Sequence, residues 1–183
     1  MQTITRCLRM SNTSEKSPAS GSPIADPPEP NPFAPSELAA WRGMLRVHST
    51  VVRELDRRLQ RDHGIGIDSY GVLITLITEL GSPLTIGELG ERRMLSPSGI
   101  SRAVDKLAKE QLVARTANPA DGRSLLVGLT AHGIQRLREA QVTHHSTVRE
   151  LLFDNLDEHH IKTLGDIWEK AIPGSVSSPM WPL

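Results

Sequence analysis

A chain of 183 residues, 38% of them hydrophobic, can bury an ordinary core in one or two domains, and it holds no run of about 18 apolar residues that would span a membrane. Its 21 basic and 21 acidic residues balance to a formal charge of zero, which excludes a protein that coats nucleic acid through bulk positive charge. The single cysteine, Cys7, excludes an intrachain disulfide and a cysteine-rich zinc site, and the opening "MQTITRCLRMSNTSEK" lacks the apolar stretch of a secretory signal, so a cytoplasmic protein with no membrane partner is expected.

Residues 1–35 hold seven of the thirteen prolines and no periodic apolar face, so a disordered tail is expected there. Residues 36–62 read as one long helix: Leu38, Trp41, Leu45, His48, Val52, Leu55 and Leu59 recur every three or four positions as a narrow seam with arginines around it. Gly64 and Gly66 end it. Asp68 is the expected N-cap of a second helix, "SYGVLITLITEL", stopped by Gly81 and Pro83. Thr85 followed three residues later by Glu88 is a capping box that opens a short helix through about Arg93. Ser96 as N-cap and Pro97 at the first helical position start another, with Ile100, Val104, Leu107 and Ala108 as its buried side.

"LVART" and "SLLVGLT" then flank "ANPADGR", the pattern of a half-buried hairpin whose turn chemistry is Asp121-Gly122. Thr130 caps a long helix through about Asn155. Asp157 caps a last one, with Ile161, Leu164, Ile167, Trp168, Ala171 and Ile172 along one side until Pro173. Residues 173–183 are expected to form a flexible tail. The fold class is therefore mainly α with one small β-hairpin.

The informative unit is residues 84–130. Two short helices joined by a tight turn make the second a candidate recognition helix, since a helix fits the B-DNA major groove and its N-terminal residues reach base edges. With Ile100, Val104 and Leu107 inward, the other side offers Ser98, Gly99, Ser101, Arg102 and Lys106, and backbone amides near Ser96 and Ser98 suit a phosphate. Taken alone, the same residues also describe a solvated face. A hairpin directly after such a pair of helices is a wing, placed to enter the neighbouring minor groove, where negative potential attracts arginine. Arg123 fits that place. Asp121 either braces its guanidinium as a bidentate partner or caps the turn. Residues 84–123 carry a net balance of +2 and residues 131–183 one of −2, an asymmetry that a twofold dimer doubles.

The stretch "LTIGELGERRMLSPSGISRAVDKLAKEQLVARTANPADGRSLLVGLTAHG" resembles the MarR-type winged-helix transcription regulators, and the resemblance covers roughly residues 38–172. It rests on the serine-rich start of the recognition helix, on Leu112-Val113 with Arg115, on Asp121 with Arg123, and on Leu129-Thr130 with Gly133. The resemblance implies a winged helix-turn-helix DNA-binding lobe at residues 84–130 within a domain of residues 36–172. It further implies dimerisation helices at 36–62 and 131–172, a homodimer, and pseudo-palindromic operator DNA bound with the recognition helix in the major groove. The usual role is a repressor relieved by a small-molecule effector. Two departures stand out: Gly122 replaces a second wing arginine, and Gln111 replaces the glycine that ends the recognition helix, which forces a non-glycine residue into the left-handed region.

The resemblance also implies an effector cleft between the first, second and fifth helices and the DNA-reading lobe, lined here by Trp41, Leu45, His48, Tyr70, Leu73 and Ile77, positions that core packing explains equally well. His144 and His145, like His159 and His160, are neighbours pointing about 100° apart, so neither pair chelates and no metal is expected. No nucleophile and base recur at catalytic spacing and no phosphate loop follows a strand, so no enzyme, no cofactor and no catalytic residue is expected. The leading expectation is a ligand-responsive regulator that binds double-stranded DNA. The alternative is a winged-helix module that mediates protein–protein contact without sequence-specific DNA binding.

Overall fold

The computed structural model describes residues 32–93 and 95–177. Helix α1 (Pro35–His63) forms where the three-four repeat places it, and it ends where Gly64 adopts a left-handed φ of 73° and returns its N–H to the Gln60 carbonyl. Only its second half is anchored in the core: Leu55 and Leu59 are buried, whereas Trp41 and Leu45 remain 50% and 45% exposed.

Helix α2 (Ile67–Thr78) starts one residue before its expected cap. Gly66 is the N-cap, Asp68 lies inside the first turn, and the orphan amide of Ile67 is satisfied from α1, whose Asp56 Oδ1 accepts it at 2.9 Å. The helix is buried from Ser69 to Leu76. Burial on every side explains why its sequence is apolar throughout and shows no stripe.

A two-residue strand, β1 (Leu84–Thr85), leads into α3 (Ile86–Arg93). The capping box is complete: Glu88 N donates to Thr85 Oγ1 at 3.2 Å, and Thr85 N donates to Glu88 Oε2 at 2.7 Å, which holds the carboxyl below its usual range. Helix α4 (Pro97–Lys109) opens with Gly99 N donating to Ser96 Oγ at 3.2 Å. Its buried residues are Ile100, Ala103, Val104 and Leu107; Ala108, expected inward, is half-buried. Gln111 does take the left-handed conformation after α4, with φ 58°, the only positive φ at a non-glycine among the described residues.

Strands β2 (Val113–Ala117) and β3 (Leu125–Leu129) pair antiparallel with Arg115 opposite Val127, and β1 joins the free side of β3 with Leu84 also opposite Val127. The sheet order is β1-β3-β2, one strand more than the expected hairpin. Helix α5 (Ala131–Leu151) starts with Gly133 N donating to Thr130 Oγ1 at 2.9 Å and stops short of Asn155, whose backbone belongs to a separate 3-10 turn, Phe153–Asn155. It packs along α1, where the Arg58 guanidinium bridges Glu54 and Glu150, each at 2.6 Å. Bonds to Arg57 and Arg58 hold the Glu54 carboxyl down at about 2.

Helix α6 (Glu158–Ala171) begins with His160 N donating to Asp157 at 2.8 Å and has no buried residue, so the apolar side read from the sequence faces outward. After it, residues 173–177 turn back: Gly174 and Val176 amides and the Ser177 hydroxyl donate to the Glu169 carboxylate at 2.8 to 2.9 Å, which hold it at about 2. Among the described residues no helix is long and apolar enough to cross a membrane. Of the tail expected at residues 1–35, residues 1–31, with Cys7, lie outside the described residues, as does the segment 178–183, while Pro35 already belongs to α1.

Candidate nucleic-acid interface

Helices α3 and α4, held over the sheet, present one outward face. Successive residues turn by about 100°, so Ser98, Arg102, Asp105 and Lys109 share the side of α4 opposite its buried residues, and all four are exposed. Ser96 Oγ lies 3.3 Å from Ser98 Oγ as well as accepting from Gly99 N, so these three expected residues form one cap. Ser101 is half-buried and borders a cleft beside Gly87, Gly90 and Glu91 of α3.

Lys106 departs from expectation. It stands on the flank of α4, half-buried, and donates to Gln60 Oε1 of α1 at 2.9 Å. Asp105 and Lys109, absent from the sequence reading, occupy the outward face instead. The same 98-102-105-109 spacing was available in the sequence. Asp105 would repel a polyanion, but Arg115 Nη2 of β2 pairs with its Oδ1 at 2.5 Å and neutralises it.

The wing tip is built on Asn118, whose Oδ1 accepts from Ala120 N at 3.0 Å and whose Nδ2 donates to Ser124 Oγ at 2.8 Å. The bidentate Asp121–Arg123 brace is not formed. Asp121 Oδ1 instead accepts from the Arg123 backbone N–H at 3.0 Å, the turn-capping alternative, because a short aspartate two residues back meets the amide before it can reach the guanidinium. Arg123 is exposed, and no carboxylate among the described residues pairs with its side chain. Among the described residues, none apart from Gly122 and its two chain neighbours has an atom within 4 Å of where a Cβ would stand, and the φ of Gly122 is not positive.

The six positions expected to line an effector cleft separate into two places. Leu73 and Tyr70 are buried core residues and Ile77 packs against that core, whereas Trp41, Leu45 and His48 are exposed on α1. Tyr70 stacks on His144 of α5 with ring centroids 4.7 Å apart. Burial pushes the Tyr70 hydroxyl up to about 12; burial, then the neighbouring His145, lowers His144. Arg93, also lowered by burial, lays its guanidinium against Gly71, where a Cβ would stand 2.2 Å from Nη2. Among the described residues no three His, Cys, Asp or Glu side chains gather as metal ligands; His160 Nδ1 pairs with Asp157 at 2.7 Å.

Residues 63–124 match the sequence model described as MarR family. The chain is 32% identical to Sco3205, a MarR family transcriptional regulator from Streptomyces coelicolor solved in complex with DNA, over 81% of this chain and 92% of that one, with a TM-score of 0.71. A mutant MarR from E. coli complexed with operator DNA shares 25% identity over 75% and 96% of the two chains, with a TM-score of 0.64. The Bacillus subtilis regulator MhqR is 25% identical over 109 residues, 60% of this chain and 73% of its own.

Proposed function

The chain belongs to the MarR family of transcriptional regulators, and from that premise we propose that it binds pseudo-palindromic duplex DNA as a homodimer and represses transcription until a small-molecule effector releases it. The observation that carries the reading is the pairing of an exposed α4 face, with Ser98, Arg102 and Lys109, to an exposed Arg123 whose side chain pairs with no carboxylate among the described residues, at the tip of the adjoining wing. Such an arrangement puts hydrogen-bonding groups into a major groove and a free guanidinium into the minor groove beside it. The DNA complexes of Sco3205 and E. coli MarR support the same partner. Two half-sites are read one helical turn apart, roughly 10 bp centre to centre.

The dimer follows from apolar surface the single chain leaves uncovered. On α6, Ile167 is 49% and Trp168 39% exposed, and the first half of α1 adds Trp41 and Leu45. A self-complementary contact between two copies buries both. Release then requires only an effector that prefers the dimer when its recognition helices are misspaced for successive grooves.

Duplex affinity measured against salt tests the proposal. Each phosphate neutralised contributes about 0.9 to the slope of log affinity on log salt, so a salt-indifferent affinity favours the protein-binding module instead. Arg123→Ala is expected to lower affinity by about 1–2 kcal/mol and to flatten that slope; an unchanged operator affinity at matched salt removes the wing from the interface. Gly122→Arg tests the converse. The open space at Gly122 accepts the side chain, and one added phosphate contact steepens the slope by about one. An unchanged slope places the tip away from the backbone.

A further inference from the structure

The last turn of α1 is bonded directly to α4. Gln60 donates from Nε2 to the Gly64 carbonyl at 3.1 Å, and its Oε1 accepts from the Lys106 ammonium at 2.9 Å. An amide has one donor end and one acceptor end, so the bond to Gly64 fixes which end faces Lys106. Gly64 is itself fixed, since it caps α1 in the left-handed conformation.

Around this bond lies a cleft of about 230 Å³, with Asp56, Gln60 and Asp68 on one wall and Gly99, Arg102 and Lys106 on the other. Lys106 is roughly 80° around α4 from Ser98, whereas Asp105 is within about 20° of it. A phosphate attracts an ammonium more strongly than a neutral amide does. Asp56 and Asp68 lower the cost of an ammonium in this cleft, but neither bonds to it: among the described residues the hydrogen-bond partner of Lys106 is Gln60.

We propose that Gln60 is a positioning residue for DNA recognition: it holds Lys106 on the α1 flank of α4, so that this lysine ties the recognition helix to α1 instead of neutralising a phosphate. The inference rests on the DNA-binding reading above. It also gives α1 a second task. The helix is 29 residues long, roughly 43 Å, with uncovered apolar residues near one end and Gln60 near the other. Any shift of α1 at the subunit contact therefore reaches α4 through one hydrogen bond as well as through the core.

The test is duplex binding across a salt series by the full chain, its Gln60→Ala, Gln60→Glu and Lys106→Gln variants, and the Gln60→Ala, Lys106→Gln double variant. Gln60→Ala frees the lysine and is expected to steepen the salt slope by close to one. Lys106→Gln alone keeps the wild-type slope, the double variant returns to it, and Gln60→Glu, which retains an acceptor for the ammonium, also keeps it. A Gln60→Ala slope equal to wild type overturns the proposal, as does a Lys106→Gln slope shallower by one, which would put Lys106 on a phosphate already. Failure of the DNA-binding reading looks different: the unmodified chain itself shows no salt-dependent affinity.

Discussion

Gly133→Ala is expected to destabilise the fold by about 2–4 kcal/mol, read as a fall in Tm of roughly 5–15 °C. A Cβ at this position would stand 1.9 Å from the Leu112 carbonyl oxygen and 3.2 Å from Leu129 Cδ2. The leucine side chain can swing aside, but the backbone carbonyl cannot give way cheaply. The Leu112 carbonyl accepts from Thr130 N at 3.2 Å, and the Thr130 hydroxyl that receives Gly133 N also donates to the Gln111 carbonyl at 2.7 Å. The start of α5 would have to retreat from the end of β2, straining the contact and loosening bonds worth about 1 kcal/mol each. A melting temperature within a degree of wild type would show that the joint yields without cost.

Ile167→Lys is expected to convert the dimer to monomer at micromolar concentration and to lower duplex affinity by more than about a hundredfold. The residue is 49% exposed on a helix with no buried side chain, so the single chain tolerates the charge. A twofold contact does not, because the substitution enters it twice and each unpaired ammonium loses its hydration on burial, at a cost of several kcal/mol. The monomer retains one wing and one recognition helix and can engage only one half-site. Light scattering reads the first effect and duplex titration the second; a dimer that persists moves the subunit contact off α6.

Elements announced by their own local chemistry were legible in the sequence. Ser96 with Pro97, Thr85 with Glu88, Thr130 and Asp157 each cap the helix they were expected to cap, because the bonds involved span three residues. The left-handed Gln111 was legible from the resemblance, which places a glycine at the end of the recognition helix. What failed depended on distant partners. Asp68 resembles a cap, but the helix starts before it: Tyr70 N, which a cap at Asp68 would serve, donates to the Gly66 carbonyl, and Ile67 N is met by Asp56 from 11 residues upstream. Strand β1 is two residues long, too short for alternation to register. Helical spacing put Lys106 on the outer half of α4 but carried no information about Gln60 across from it, and nothing local separated a brace from a turn cap at Asp121. The membership of the winged helix-turn-helix was thus plain from order and caps, while the state of individual cations required coordinates.

The Asp105–Arg115 pair joins the third turn of α4 to the middle of β2, the strand that runs out to the wing tip. Under the proposed DNA-binding reading, helix and wing would therefore act as one bivalent ligand on a stiff spacer. With α4 docked, Arg123 would meet the adjacent groove at a high effective concentration, without the search that a loop held only at its ends would impose. The wing's contact would in that sense be intramolecular, adding little to the encounter rate and felt chiefly in how slowly the complex comes apart.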